Sequence, residues 1–154
     1  MKALVIENDP IILLLLTKHL RSFGFDVTAC PDGVTALDAY HQTFYPLVVI
    51  DLERFGKYGV EMCSHIRSIP GGERSIILAL TGRQEREPFS FAFQTEADEY
   101  LPKPLNPDLL KKCLKGFEHQ LRNLAEREPL EEYLRHLEQA VEVTRERMVI
   151  TKHL

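Results

Sequence analysis

Leu47-Val48-Val49-Ile50-Asp51 decides the fold: four apolar residues run without a break into a carboxylate. A stretch that is apolar at every position has no face to give to water, so it reads as a central strand covered on both sides. Strands of that kind belong to parallel sheets layered with helices. Ile76–Leu80 repeats the pattern, Ala3–Ile6 opens the chain with it, and Val27–Ala29 and Tyr100–Leu101 are weaker copies. Between them lie helix-length amphipathic segments: Pro10–Phe23, Gly33–His41, Gly59–Ile69, Pro88–Thr95 and the stretch from Leu105 onward. Pro10 suits a first helical turn and Gly24 a C-terminal cap, while Asp32-Gly33 and Pro70-Gly71-Gly72 mark turns. The alternation predicts a doubly wound α/β domain, a five-stranded parallel sheet with helices on both faces.

In such sheets chemistry gathers beyond the carboxyl ends of the strands. Glu7, Asn8 and Asp9 follow the first strand, Asp51 ends the third, Thr81 ends the fourth and Lys103 follows the fifth. Any one of these side chains is explained well enough as a cap or turn residue. All of them at successive strand ends are not, and together they mark a site.

Those residues sit in a set of short motifs: Leu4-Val5-Ile6-Glu7-Asn8-Asp9-Pro10, Gly24-Phe25 with Asp32-Gly33, Val48-Val49-Ile50-Asp51, Gly59-Val60-Glu61, Ala79-Leu80-Thr81-Gly82 and Tyr100-Leu101-Pro102-Lys103-Pro104. In this order and spacing the chain resembles the response-regulator receiver family of bacterial two-component signalling, from residue 2 to about residue 120. The resemblance implies a flavodoxin-like (βα)5 fold over residues 1–120, followed by a helical extension over 121–154. It also implies that Asp51 accepts a phosphoryl group from a sensor histidine kinase or phosphotransfer protein. Mg²⁺ is implied at Glu7, Asn8, Asp51 and the backbone carbonyl of Glu53, an all-oxygen set of the kind that ion prefers. By the same likeness Lys103 pairs with a phosphoryl oxygen, Thr81 hydrogen-bonds another, and Tyr100 is the aromatic that turns inward when Thr81 moves. Lys103-Pro104 is implied to be cis. The module would be a phosphoacceptor regulator and not an enzyme in its own right.

Several positions depart from the family pattern. Asn8 stands in place of a second acid, which lowers the charge of the metal pocket. Phe55 replaces a common proline, so the chain after Asp51 is expected to take another path, and Glu96 stands where glycine is usual. Glu53 and Arg83 each lie two residues past a site residue. The family tunes access of hydrolytic water there, so an ion pair between them is one reading and two solvated side chains the other. Phe89, Phe91 and Phe93 alternate near Tyr100, as core packing or as a partner surface.

The formal net charge of −4 argues against direct nucleic-acid binding, and no apolar run is long enough to span a membrane. With no signal-peptide pattern and three scattered cysteines (Cys30, Cys63, Cys113), a cytoplasmic protein with buried, reduced thiols is expected. Glu128-Pro129 is expected to interrupt the helix that starts near Leu105. Beyond it Leu130, Leu134, Leu137, Val141, Thr144 and Met148 follow heptad-like spacing, as a helix docked on its own domain or as one that pairs with a second chain or leads into a missing output domain. Two rivals stand beside the phosphoacceptor. A haloacid-dehalogenase-like phosphatase needs an Asp-x-Asp nucleophile on an early strand, which Asp51-Leu52-Glu53 does not supply. A pseudo-receiver, purely an interaction or dimerisation module, is favoured by Asn8 and Phe55 and opposed by Asp51, Thr81 and Lys103.

Overall fold

In the computed structural model, residues 1–82 and 96–152 are described. Five strands, β1 (Lys2–Ile6), β2 (Asp26–Cys30), β3 (Leu47–Asp51), β4 (Ile76–Thr81) and β5 (Glu99–Pro102), form one sheet in the order β2-β1-β3-β4-β5. All four pairings are parallel. Every residue of β3 and of β4 is buried, as their unbroken apolar runs require. The strand order reverses between β1 and β3, and the crevice beyond that reversal is where such sheets place ligands. The register pairs Ile6 with Ile50, so Glu7 and Asp51 emerge side by side at that point.

Helices α1 (Pro10–Ser22), α2 (Gly33–Gln42), α3 (Leu52–Ser68) and α4 (Pro107–Gly116) follow strands 1, 2, 3 and 5, and α5 (Glu118–Lys152) continues beyond them. The caps are those the sequence offers. Asp9 accepts from the N–H groups of Ile11 and Ile12, Asp32 from Thr35, and Asn106 from Asp108 and Leu109. Pro10 and Pro107 occupy first-turn positions, and Gly24 follows α1 at φ 92°. The helix expected over Pro88–Thr95, with Phe89, Phe91 and Phe93, lies outside the described residues. Among the described residues no helix is long and apolar enough to cross a membrane. All three cysteines are free; Cys30 and Cys63 are buried and Cys113 is only partly so.

Arg67, near the end of α3, ties the far side of the domain together. Its guanidinium donates to the carbonyls of Gly72, Ser75 and Glu96 and pairs with Asp98 at 2.8 Å, while Asp98 accepts the N–H of Ile77. This one side chain fixes where β4 begins and where the chain enters β5. Glu96, the expected glycine position, is held there through its carbonyl.

The tail corrects the expected break. The chain leaves helical geometry at Phe117, whose N–H returns to Leu114, and α5 then stays helical through residues 128–129. A proline inside a helix removes one backbone hydrogen bond, and a long helix secured elsewhere survives that loss. Security comes from Leu121 and Leu124, both buried, and from Arg135, which is only 7% exposed. The Arg135 guanidinium donates to the carbonyls of Tyr40 and Pro70 and lies over the Tyr40 ring at 5.0 Å. It thereby presses α5 across the end of α2 and the turn after α3.

Candidate functional site

Asp51 is the last residue of β3 and has no exposed surface. Its Oδ2 accepts from Lys103 Nζ at 2.5 Å and its Oδ1 accepts the N–H of Arg54 at 3.1 Å. Glu7, 1% exposed, takes the N–H groups of Asn8 and Asp9 on Oε1, at 3.0 and 2.8 Å. Burial, with the neighbouring Asp51 carboxyl adding to it, pushes the Glu7 carboxyl up to about 7. Burial also works against ionisation of Asp51. The hydrogen bonds from Glu7, Lys103 and Arg54 outweigh it and hold Asp51 below the ordinary carboxylate range. Two buried carboxyls this close keep one proton between them, and it rests on Glu7. Burial likewise opposes the Lys103 ammonium, but Asp51, Glu53 and Glu7 together keep it above its usual pKa.

Glu7 Oε2 is buried and takes no hydrogen bond from a backbone N–H or a cationic side chain, so loss of the shared proton would open it to a cation beside the Asp51 carboxylate. The donors are all oxygen, which suits a hard cation. Among the described residues no three His, Cys, Asp or Glu side chains converge to hold a metal. The set must therefore be completed by weaker oxygens, as Asn8 in place of an acid already implied. A cation such as Mg²⁺, which keeps several of its waters, fits such a site. Asn8 itself lies exposed at its rim.

The chain after Asp51 turns directly into a helix. Helix α3 starts at Leu52, not at Gly59, because Asp51 serves as its N-cap as well as ending β3. The first turn is set off from the rest by Gly56, at φ 57° and ψ −136°. This turn places Glu53 against Lys103, with Oε1 3.5 Å from Nζ. The Glu53 carboxylate lies directly over Gly82, where an added Cβ would meet Oε2 at 1.6 Å. The bare backbone of Gly82 is thus what leaves room for Glu53 beside the acceptor. Arg83, its expected partner, lies outside the described residues.

Arg54 was not among the expected site residues. Its Nε lies 3.8 Å from Glu7 Oε1 and an Nη 3.4 Å from Asp9 Oδ2. The signal for it was the capping role of Asp51: an N-cap brings the third helical residue back to itself, and that residue is Arg54. Thr81 is 2% exposed at the end of β4, one step past Leu80, the partner of Asp51 in the sheet. Its carbonyl accepts the N–H of Lys103 at 2.8 Å. Tyr100 stands on β5 opposite Ala79, partly buried against the core, and Lys103-Pro104 is cis. The structure therefore gathers Asp51, Glu7, Lys103 and Glu53 in direct contact, with Thr81 on the neighbouring strand and Tyr100 a strand further.

A parallel sheet in the order 2-1-3-4-5, with a buried Asp–Glu–Lys cluster at its switch point, defines the CheY-like class of doubly wound domains. Within that class the chain belongs to the response regulator receiver domain family, whose model matches residues 3–115. The DNA-binding response regulator MtrA of Mycolicibacterium smegmatis is 32% identical over 106 residues, 69% of this chain and 45% of that protein. The chain thus spans less than half the length of the MtrA relative. Among solved structures, the receiver domain of a Pseudomonas aeruginosa sensor histidine kinase, with a magnesium ion coordinated in its active-site cleft, has a TM-score of 0.65 at 26% identity. That match covers 74% of this chain and 93% of the other. A chain described as adenylate cyclase from Rhodopirellula baltica has a TM-score of 0.67 at 25% identity, covering 84% of this chain and 95% of that one.

Proposed function

We propose that this receiver domain takes a phosphoryl group onto Asp51 from a phosphohistidine on a sensor histidine kinase or phosphotransfer protein, and that the transfer changes its partner-binding surface. The observation that carries the reading is the fully buried Asp51 carboxylate at the end of β3, ionised and held by Lys103 beside Glu7. An ionised carboxylate is the nucleophile the transfer needs. Lys103 supplies positive charge where phosphoryl oxygens gather, and Thr81, one residue past the acceptor's level on the next strand, offers a hydroxyl to one of them. Tyr100 is the group that would follow Thr81 inward. Mg²⁺ held by Glu7, Asp51, Asn8 and the Glu53 carbonyl would neutralise the repulsion between carboxylate and phosphoryl group. Glu53, over Gly82, stands where it would screen the acyl phosphate from water. The domain acts as an acceptor and not as a turnover enzyme.

A partner has an apolar footing beside the acceptor. Ile11 and Leu14, one turn apart at the start of α1, are 71% and 69% exposed, which suits a helix of a phosphodonor protein. Incubation with a small phosphodonor and Mg²⁺ should add one phosphoryl group to the intact mass. An unchanged mass would support the pseudo-receiver instead.

The second partner in this reading is another copy of the chain. Leu134, Leu137 and Val141 are 43%, 44% and 50% exposed, on a face about a third of a turn round α5 from Arg135. One face of α5 is thus used by its own domain while Leu134, Leu137 and Val141 of the heptad stripe stay open, the arrangement of a helix that seats a second, like helix. Molecular mass measured by light scattering should rise toward the dimer with concentration, and Leu137→Asp should keep it at the monomer. Monomer mass across the wild-type series would refute the dimer.

A further inference from the structure

We propose that Arg54 is a tethered cation that occupies the acid pocket formed by Glu7 and Asp9 until a divalent metal displaces it, so that metal binding and release of the first turn of α3 are one event. The inference rests on the metal reading above and concerns how this chain's own residues regulate it.

Glu7 is wholly buried, and it can act as a charged ligand only where positive charge offsets the cost of that burial. Lys103 is committed to Asp51 and Glu53. The remaining positive charge in reach, among the described residues, is the Arg54 guanidinium, 3.8 Å from Glu7 Oε1 and 3.4 Å from Asp9 Oδ2. It spans the two acids that flank Asn8, the position where the pocket lacks a carboxylate of its own. Arg54 is suited to leave because its side chain is 43% exposed and needs no desolvation to return to water. It is also coupled to the acceptor, since its backbone N–H caps Asp51 Oδ1 at 3.1 Å. A metal drawn to Glu7 Oε2 and Asp51 brings two positive charges to the carboxyl whose other oxygen faces the guanidinium, and like charges on one carboxyl repel. Gly56 is the joint that lets the turn move, because its positive φ already separates residues 52–55 from the rest of the helix.

A tethered competitor lowers apparent affinity by the fraction of molecules whose pocket it leaves open. If that fraction is about one tenth, Arg54→Ala should bind Mg²⁺ about tenfold more tightly than the wild type. Isothermal titration with Mg²⁺ alone measures this. Thermal melting gives a second reading: without metal the variant should melt below the wild type, and Mg²⁺ should raise its midpoint by more. Arg54→Gln, closer in size, gives the same comparison should the alanine variant fold poorly. Equal or weaker Mg²⁺ binding by the variants would overturn this inference and leave the metal reading intact. Absence of binding by wild type and variants alike would overturn both. The mass assay of phosphoryl uptake reports on Asp51 independently of either.

Discussion

Asp51→Asn is expected to reduce phosphoryl uptake to background while leaving the chain folded. The amide has the shape of the carboxylate it replaces but is no nucleophile toward phosphorus. Its oxygen still accepts the N–H of Arg54, so the N-cap of α3 survives. Lys103 loses its nearest anion but keeps Glu53, and Glu7 is freed from a neighbour that had pushed its carboxyl up. The pocket therefore exchanges a shared proton for one carboxylate and one ammonium, and no charge is stranded without an opposite one. Intact mass after incubation with a small phosphodonor and Mg²⁺ is the measurement, with circular dichroism to verify the fold. Two other carboxyls, Glu7 and Glu53, lie close enough to Lys103 to compete for the role. If Asp51→Asn still gained a phosphoryl group, one of them would be the acceptor and the site would need to be redrawn around it.

What the sequence discloses and what it hides follow one physical division. Strands β3 and β4 are legible because burial on both faces asks for an unbroken apolar run, which here gives way only at the site residues Asp51 and Thr81, and because each run is of strand and not helix length. Glu7, Asp51, Thr81 and Lys103 are legible because a parallel sheet collects strand ends at one edge, so position along the chain becomes position in space. Residues whose roles come from contact between distant elements are not legible in this way. Arg67 is one charged residue among several on α3 until the fold sets four carbonyls and Asp98 around it. Arg135 sits in a stretch of charges and is buried only because the end of α2 presents a carbonyl and two aromatic rings to it. Pro129 misled for the same reason, since local propensity argued for a break that tertiary anchoring overrode. Arg54 is the instructive case. Reading Asp51 only as chemistry concealed that it caps α3, and the cap is what turns Arg54 toward Glu7.

Gly72→Ala is expected to destabilise the domain by about 3 kcal/mol, the upper end of what overpacking costs. The reason is space and not backbone angle. A Cβ on residue 72 would lie 1.8 Å from the carbonyl oxygen of Ile66 and 2.8 Å from its carbon. Neither atom belongs to a side chain that can swing aside. The Ile66 carbonyl accepts the N–H of Ile69 at the end of α3, and Gly72 itself donates to the Ile69 carbonyl at 2.7 Å. Relief requires the turn to move away from α3, and that pulls the Gly72 carbonyl from Arg67. Arg67 also holds Ser75 and Asp98, so the displacement reaches the start of β4 and the entry to β5, the strands that carry Thr81 and lead to Lys103. Gly24→Ala supplies the contrast. That residue has φ 92° but nothing within 4 Å of an added Cβ, so only the backbone penalty applies, about 1–2 kcal/mol. Urea denaturation of the two variants side by side separates the mechanisms. Equal losses would mean that the turn after α3 yields freely and that Arg67 does not bind the two strands to it.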